Sequence, residues 1–158
     1  MRGRHCAVVC ALVAAAVSST AGPASAQIFP GDCFVSDGGR ILTATGSPAT
    51  FGGSASSTSG AQLGHQVYID DGPLTGFRFR SIAMTAMLCN LDAHRAEMYG
   101  SGEVTTQLGL SQPVEYRIAV LGVRSTSQVP DTYRITLSNG YDSGEQPVID
   151  GNIAVRGT

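Results

Sequence analysis

The sequence contains no tryptophan and no lysine, and only 6% of its residues are aromatic. Its ten basic residues are all arginines, and twelve acidic residues outnumber them. Nucleic-acid-binding proteins draw much of their affinity from neutralising phosphates, and anionic membranes are held by clusters of Lys and Arg. An acidic chain without such a cluster argues against both kinds of partner.

One apolar run lies near the start of the sequence, and no other run approaches the length needed to span a bilayer. That run, residues 6–17, follows Arg2 and Arg4 and precedes the small residues Ala24-Ser25-Ala26. A positive start, an apolar segment and a small-x-small site are typical of a secretory signal peptide, here 1–26, cleaved between Ala26 and Gln27. We therefore expect a secreted, extracellular protein with no membrane span after cleavage.

The mature chain would keep 132 of the 158 residues, enough for a single domain with its own core. Its charge would be −4, from eight arginines against twelve acidic residues. We divide it into an N-terminal lead-in, residues 27–37, and one domain, residues 38–158.

Cleavage would leave two of the four cysteines, Cys33 and Cys89. Their spacing is not that of a CxxC redox motif, and two thiols alone make a poor metal site. In an oxidising compartment we expect them to form a disulfide. Closing so long a loop stabilises a fold by roughly 4 kcal/mol in the chain-entropy description.

Glycine, serine and threonine are abundant, and turn residues recur at short intervals. Between the turns, apolar and polar residues alternate, as in strands with one buried face. The segments with this pattern are 40–45, 49–55, 66–70, 77–82, 115–123, 131–138 and 152–156. Turns are predicted at Gly38-Gly39 and Asn139-Gly140. About eight strands predict an all-β fold, an antiparallel β-sandwich of immunoglobulin-like type, with no indication of pairing order.

Residues 81–98 are ambiguous, because they are rich in helix-forming residues and Ser81 could cap a helix. Asn90 and Asp92 in mid-run, and a poor apolar stripe, fit a helix badly. Two strands, 82–89 and 95–100, joined by an Asn-Leu-Asp turn, account for the pattern equally well.

Several short motifs occur in a fixed order along the domain. They are GGRI at 38–41, ATFG at 49–52, VYID at 67–70, DTYRITLSNGYDSGE at 131–145 and GNIAV at 151–155. This set resembles the post-COAP-1 domain, a small domain of secreted actinobacterial proteins. The resemblance implies a β-sandwich-like module, favours strands within 82–100 and implies no catalytic residues. The chain departs from the family pattern at Cys33, at Cys89 and at residues 77–80 (FRFR).

Candidate catalytic groups are few. No G-x-S-x-G elbow is present, and the histidines left after cleavage, His65 and His94, are interpreted as exposed polar residues. The adjacent Asp70 and Asp71 would point to opposite faces of a strand, so we assign them to a turn. A Ser-His-Asp hydrolase site remains an alternative.

Asp142, Glu145 and Asp150 gather near the end of the chain and are the best candidates for calcium ligands. No D-x-[DN]-x-[DN]-G loop accompanies them, so solvated turn acids are the preferred interpretation. Three tyrosines could contact a carbohydrate, but we expect them to pack at strand edges: Tyr68, Tyr99 and Tyr141.

The sequence thus predicts a secreted, non-enzymatic β module without a cofactor, acting in binding or as a structural part at the cell surface or in the medium. Its partner would be a cell-envelope protein or glycan, and not a nucleic acid. The alternatives are a small secreted hydrolase and a calcium-stabilised adhesion-type module.

Overall fold

The computed structural model describes residues 32–73, 76–123 and 129–157, which contain nine β-strands and no helix. Every strand pairing is antiparallel. The strands are β1 (Cys33–Leu42), β2 (Pro48–Thr58), β3 (Ala61–Asp70), β4 (Phe77–Asn90), β5 (Arg95–Thr106), β6 (Ser111–Leu121), β7 (Thr132–Leu137), β8 (Gln146–Pro147) and β9 (Asp150–Gly157). The predicted all-β, antiparallel class is confirmed.

The nine strands form one sheet in the order β8-β7-β6-β5-β4-β3-β2-β1-β9. Its two edge strands, β8 and β9, follow each other in the chain with only Val148 and Ile149 between them. The amide of Val148 donates to the carbonyl of Asp131, and the amide of Ile149 donates to the carbonyl of Arg40. A two-residue link between the edges requires the sheet to curl, and its shape is a half-barrel.

Aromatic contacts across the interior show how strongly the sheet curls. Phe51 on β2 and Tyr133 on β7 stack with ring centroids 3.9 Å apart. Four strands lie between β2 and β7, so in a flat sheet these residues would be about 24 Å apart. The concave face therefore buries its apolar side chains against the opposite wall of the same sheet.

The alternation seen in the sequence corresponds to the two faces of this sheet. On β6, for example, Tyr116, Ile118 and Val120 are buried, while the residues between them are exposed or half-buried. The same holds for β7, where Tyr133, Ile135 and Leu137 are buried in the core.

The ambiguous segment 81–98 forms strands. It contains the end of β4 and the start of β5, joined by a turn at residues 91–94. Register shifts fall between Ser81 and Ala83 and between Met84 and Ala86. Such irregularities put two residues of one strand opposite one of its partner, which breaks the strict alternation that would have marked a strand.

One predicted turn needs correction. The Gly38-Gly39 turn is wrong, because both glycines lie inside β1, which begins within the predicted lead-in. A Cβ on Gly39 would lie 2.4 Å from the carbonyl oxygen of Asp150 and 3.2 Å from the ring of Phe51. The glycine permits a close approach of β9 and an aromatic ring, and no reversal of the chain occurs there.

The two-sheet sandwich is not confirmed, because the described strands form one continuous sheet of nine strands where about eight were expected. Sandwich and curled sheet bury the same alternate residues, so the alternation fits both. The pairing between β3 and β4, in the middle of this sheet, is short: it consists of four residue pairs, between 67–70 and 77–80.

One carboxylate holds β9 to the loop after β6. Oδ1 of Asp131 accepts the amide of Val123 and Oδ2 accepts the amide of Ile153, each at 2.7 Å. Hydrogen bonds to a charged acceptor are the stronger kind, and both donors are backbone groups fixed by the fold. Asp131 therefore connects parts of the half-barrel that are not neighbours in the sheet.

We predict that Asp131→Ala lowers the free energy of unfolding by about 3 kcal/mol, since two amides lose a charged acceptor. Asp131→Asn keeps one acceptor oxygen and should lose less. The measurement is chemical denaturation monitored by circular dichroism, with Asp92→Asn in an exposed turn as the control. Equal stability of Asp131→Ala and the wild type would contradict this role.

Candidate functional site

The predicted disulfide is present between Cys33, at the start of β1, and Cys89, near the end of β4. The two Cα atoms are 6.6 Å apart, although β2 and β3 lie between these strands in the sheet. The bond therefore fixes the curl of the sheet from within, and it indicates an oxidising, non-cytoplasmic setting. The predicted signal peptide, with its cleavage site at Ala26 and Gln27, lies outside the described residues.

Among the described residues there is no helix of the length and apolar character needed to cross a membrane.

The three acids considered as calcium ligands each approach a different arginine. Arg134 pairs with Asp142, Arg95 with Glu145 and Arg40 with Asp150. The hydrogen bonds from Arg134 lower the pKa of the Asp142 carboxyl. Within residues 32–73, 76–123 and 129–157, no group of three or more His, Cys, Asp or Glu side chains is placed to hold a metal ion.

The two histidines lie on separate elements. His65 is exposed on β3, where Ser54 of β2 is its cross-strand neighbour. His94 is half-buried in the turn between β4 and β5, in the left-handed backbone region with φ 51°, and its carbonyl accepts the amide of Gly122.

The adjacent acids Asp70 and Asp71 diverge, with Asp70 buried and Asp71 exposed. Asp70 accepts the hydroxyl of Tyr141 at 2.7 Å and the amide of Gly72 at 2.8 Å. The hydroxyls of Tyr141 and Tyr68 are 2.6 Å apart. Burial is the main cause that raises the pKa of both phenols, so this chain of hydrogen bonds is made by neutral tyrosines. It ties the loop after β7 to β3.

The third tyrosine lies on the convex face. Tyr99 donates to Glu97, which also accepts two hydrogen bonds from Arg117, at 2.7 and 3.1 Å. These bonds lower the pKa of the Glu97 carboxyl, the largest contribution coming from Arg117. The expected packing role of the tyrosines thus describes Tyr68 and Tyr141 better than Tyr99.

A buried polar cluster lies in the interior, formed by Asp37, Gln66 and Tyr133. All three side chains are at least nine-tenths buried. Neither carboxylate oxygen of Asp37 has a hydrogen-bond partner among the described residues, and the same holds for Oε1 of Gln66 and the hydroxyl of Tyr133. Unpaired polar atoms at this depth are costly, so the cluster is the least satisfied part of the core.

Gly53 provides the space for this cluster. Asp37, Gly53 and Gln66 lie in register across β1, β2 and β3. A Cβ on Gly53 would lie 2.7 Å from Oε1 of Gln66 and 2.2 Å from the carbonyl oxygen of His65. The side chain of Gln66 therefore lies over the glycine, on the row that Asp37 occupies.

Burial raises the pKa of Asp37 to about 6, and the nearby amide of Gln66 opposes part of this rise. A protonated carboxyl is a hydrogen-bond donor, and the unpaired Oε1 of Gln66 is an acceptor. Below pH 6 the cluster can therefore satisfy atoms that it leaves unpaired as a carboxylate. Sequence reasoning placed Asp37 in the lead-in. The signal it missed is the two-residue spacing of Cys33, Val35 and Asp37, which puts all three on the buried face of β1.

The convex face carries a groove along β4 that is lined by Arg78 and Arg80. It consists of two adjoining hollows of about 360 Å³ and 400 Å³, which share Arg78 and Thr105. Both guanidinium-bearing residues are exposed. The sequence predicted that these arginines face solvent while Phe79, between them, faces inward, and the burial pattern confirms it.

No protein-family model matches the chain. No curated protein and no solved structure matches it either. The fold and the sites described above are therefore interpreted from their own geometry.

We predict that Asp37→Asn removes a pH dependence of stability. Because the folded state raises the pKa of Asp37, the favourable contribution is complete below about pH 4 and is lost as pH rises through about 6. Above that pH the wild type should be less stable than Asp37→Asn by up to about 3 kcal/mol, and at pH 4 the two should be alike.

The measurement is the melting temperature from pH 4 to pH 8. Asp92→Asn, which removes an exposed carboxylate, controls for the change in net charge. A wild type and an Asp37→Asn variant with parallel pH profiles would show that the carboxyl does not titrate in this way.

Proposed function

We propose that the mature chain is an exported, non-enzymatic module that acts by binding at the cell surface or in the surrounding medium. The observation that carries this proposal is the filled interior of the half-barrel. Phe51, Tyr68 and Tyr133 stack across it, with centroids 3.9 and 6.1 Å apart. Groups available to another molecule lie on the convex face and at the ends of the sheet, which suits surface contact.

Two further points support the proposal. The disulfide between Cys33 and Cys89 is suited to an oxidising compartment, in agreement with the predicted signal peptide. The resemblance to the post-COAP-1 domain implies a secreted module without catalytic residues. A cell-envelope protein or glycan is the partner that export favours.

We predict that the protein recovered from the culture medium begins at Gln27 and contains no free thiol. Intact-mass spectrometry gives the start of the chain, and thiol titration under denaturing, non-reducing conditions counts free cysteines. A Cys33→Ser, Cys89→Ser double variant should be less stable by roughly 4 kcal/mol, because it loses the cross-link. Retention in the cytoplasm, or two reactive thiols, would contradict the proposal.

The binding role predicts that purified protein sediments with washed envelopes of the producing bacterium and that the bound amount saturates. Protease treatment of the envelopes distinguishes a protein partner, whose removal abolishes sedimentation, from a glycan partner, which survives. A small inert protein of similar charge, sedimented with the same envelopes, measures how much protein is trapped in the pellet without specific binding. Protein that stays in the supernatant like this control would refute an envelope-binding role.

A further inference from the structure

Arg78 and Arg80 differ from the arginines around them. Four other arginines of the described residues lie within 4 Å of a carboxylate: Arg40, Arg95, Arg117 and Arg134. Neither Arg78 nor Arg80 has an ion pair or a side-chain hydrogen bond within the described part of the chain. In a chain whose acids outnumber its arginines, two adjacent unpaired guanidinium groups are available for an external anion.

The two side chains are on the same face of β4, so their Cα atoms are about 7 Å apart. On one side Val67 and Ile69 of β3 are their cross-strand neighbours, and both are half-buried. On the other side the groove is bounded by β5. The groove thus combines two positive charges with an apolar strip along one wall, while the exposed Asp71 and the buried, hydrogen-bonded Asp70 border its second hollow.

The backbone of this region offers nothing to an added strand. Arg80 is paired with Val67 on one side and with Glu103 on the other, and Arg78 is paired likewise with Ile69 and Thr105. A peptide that binds by extending a sheet needs free backbone donors and acceptors at an edge. The ligand of this groove must therefore be held by side chains.

We propose that this groove binds an acidic polysaccharide, with sugar carboxylates on Arg78 and Arg80. Guanidinium groups bind carboxylates through paired hydrogen bonds, and the C–H faces of sugar rings can cover the apolar wall formed by Val67 and Ile69. Each hollow has the volume for a sugar ring, and the two adjoin. The inference deepens the proposed binding function, on which it rests, by naming the chemistry of the ligand.

Glu103 sets the selectivity of the groove. It faces Arg80 across β4 and β5 and lines the same hollow, yet it forms no ion pair within 4 Å among the described residues. Its charge weakens attraction for a bare anion. A ligand that also contacts the apolar wall keeps a compensating interaction that a free phosphate lacks.

The test is calorimetric titration with polygalacturonate, with neutral dextran and sodium triphosphate as comparison ligands. Wild-type protein should bind polygalacturonate, more weakly as salt is raised, and should bind neither comparison ligand with similar affinity. Arg78→Gln and Arg80→Gln should each weaken binding about fivefold, the effect of losing an exposed ion pair. Glu103→Gln should strengthen it.

Arg156→Gln is the matched control, because it removes one exposed arginine far along the sheet, on β9. It should leave the affinity within about twofold of the wild type, since screening confines the effect of a distant charge. An equal loss with Arg156→Gln would overturn the site in favour of diffuse attraction. Equal affinity for triphosphate, or no binding of polygalacturonate, would overturn the proposed ligand.

The two proposals fail in different ways. If wild-type protein sediments with envelopes and an Arg78→Gln, Arg80→Gln double variant sediments equally, the binding function stands and the groove is not its site. If the wild type does not sediment, the binding function itself fails. Melting temperatures of all variants verify that these exposed substitutions leave the fold intact.

Discussion

The inward face of the sheet is covered by the opposite wall of the same sheet, because the described residues contain no helix that could cover it. Three connections across the interior maintain this closure. The ring of Tyr133 stacks on Phe51, and the disulfide joins β1 to β4. The carboxylate of Asp131 accepts one amide from the loop after β6 and one from β9. Each connects strands that are distant in the sheet, so together they resist flattening. The shape of the convex surface depends on this closure.

The same closure explains why a carboxyl group lies in the core. On β1 the inward positions alternate strictly, and Asp37 occupies one of them between Val35 and Gly39. Turning its side chain to solvent would slip the strand by one residue and expose the whole apolar row. The strand therefore keeps its register and accepts the cost of a buried acid. Gly53, which leaves room for Gln66 beside it, reduces that cost.

Local pattern predicted the strands well where packing is regular. The alternation at 66–70, 115–123 and 131–138 follows from one solvent-facing and one buried face, and these segments overlap β3, β6 and β7. It failed where a neighbour outside the local window decides the conformation. Gly39 is small because β9, more than a hundred residues later in the chain, passes against it. In β4, register shifts obscure the period, so helix propensity was an equal competitor.

Sheet topology was beyond the sequence for a related reason. The alternation of apolar and polar residues indicates which side chains are buried, but not which strands they pack against. One curled sheet and two stacked sheets therefore produce the same sequence pattern. The disulfide could be predicted by counting cysteines, but the distance it spans depends on the curl. The buried cluster of Asp37, Gln66 and Tyr133 was likewise missed, because its members come from strands that meet only in three dimensions.

Charge placement on the convex face follows from cross-strand neighbours. Arg117 on β6 is bound by Glu97 of β5, and Arg134 on β7 by Asp142 of the loop that follows it. Arg78 has Ile69 and Thr105 on its two sides, neither of which can neutralise it. Arg80, by contrast, faces Glu103 of β5, and the two still form no ion pair within 4 Å. A groove of this kind combines charge with an apolar wall, and that combination distinguishes an acidic sugar from a simple anion.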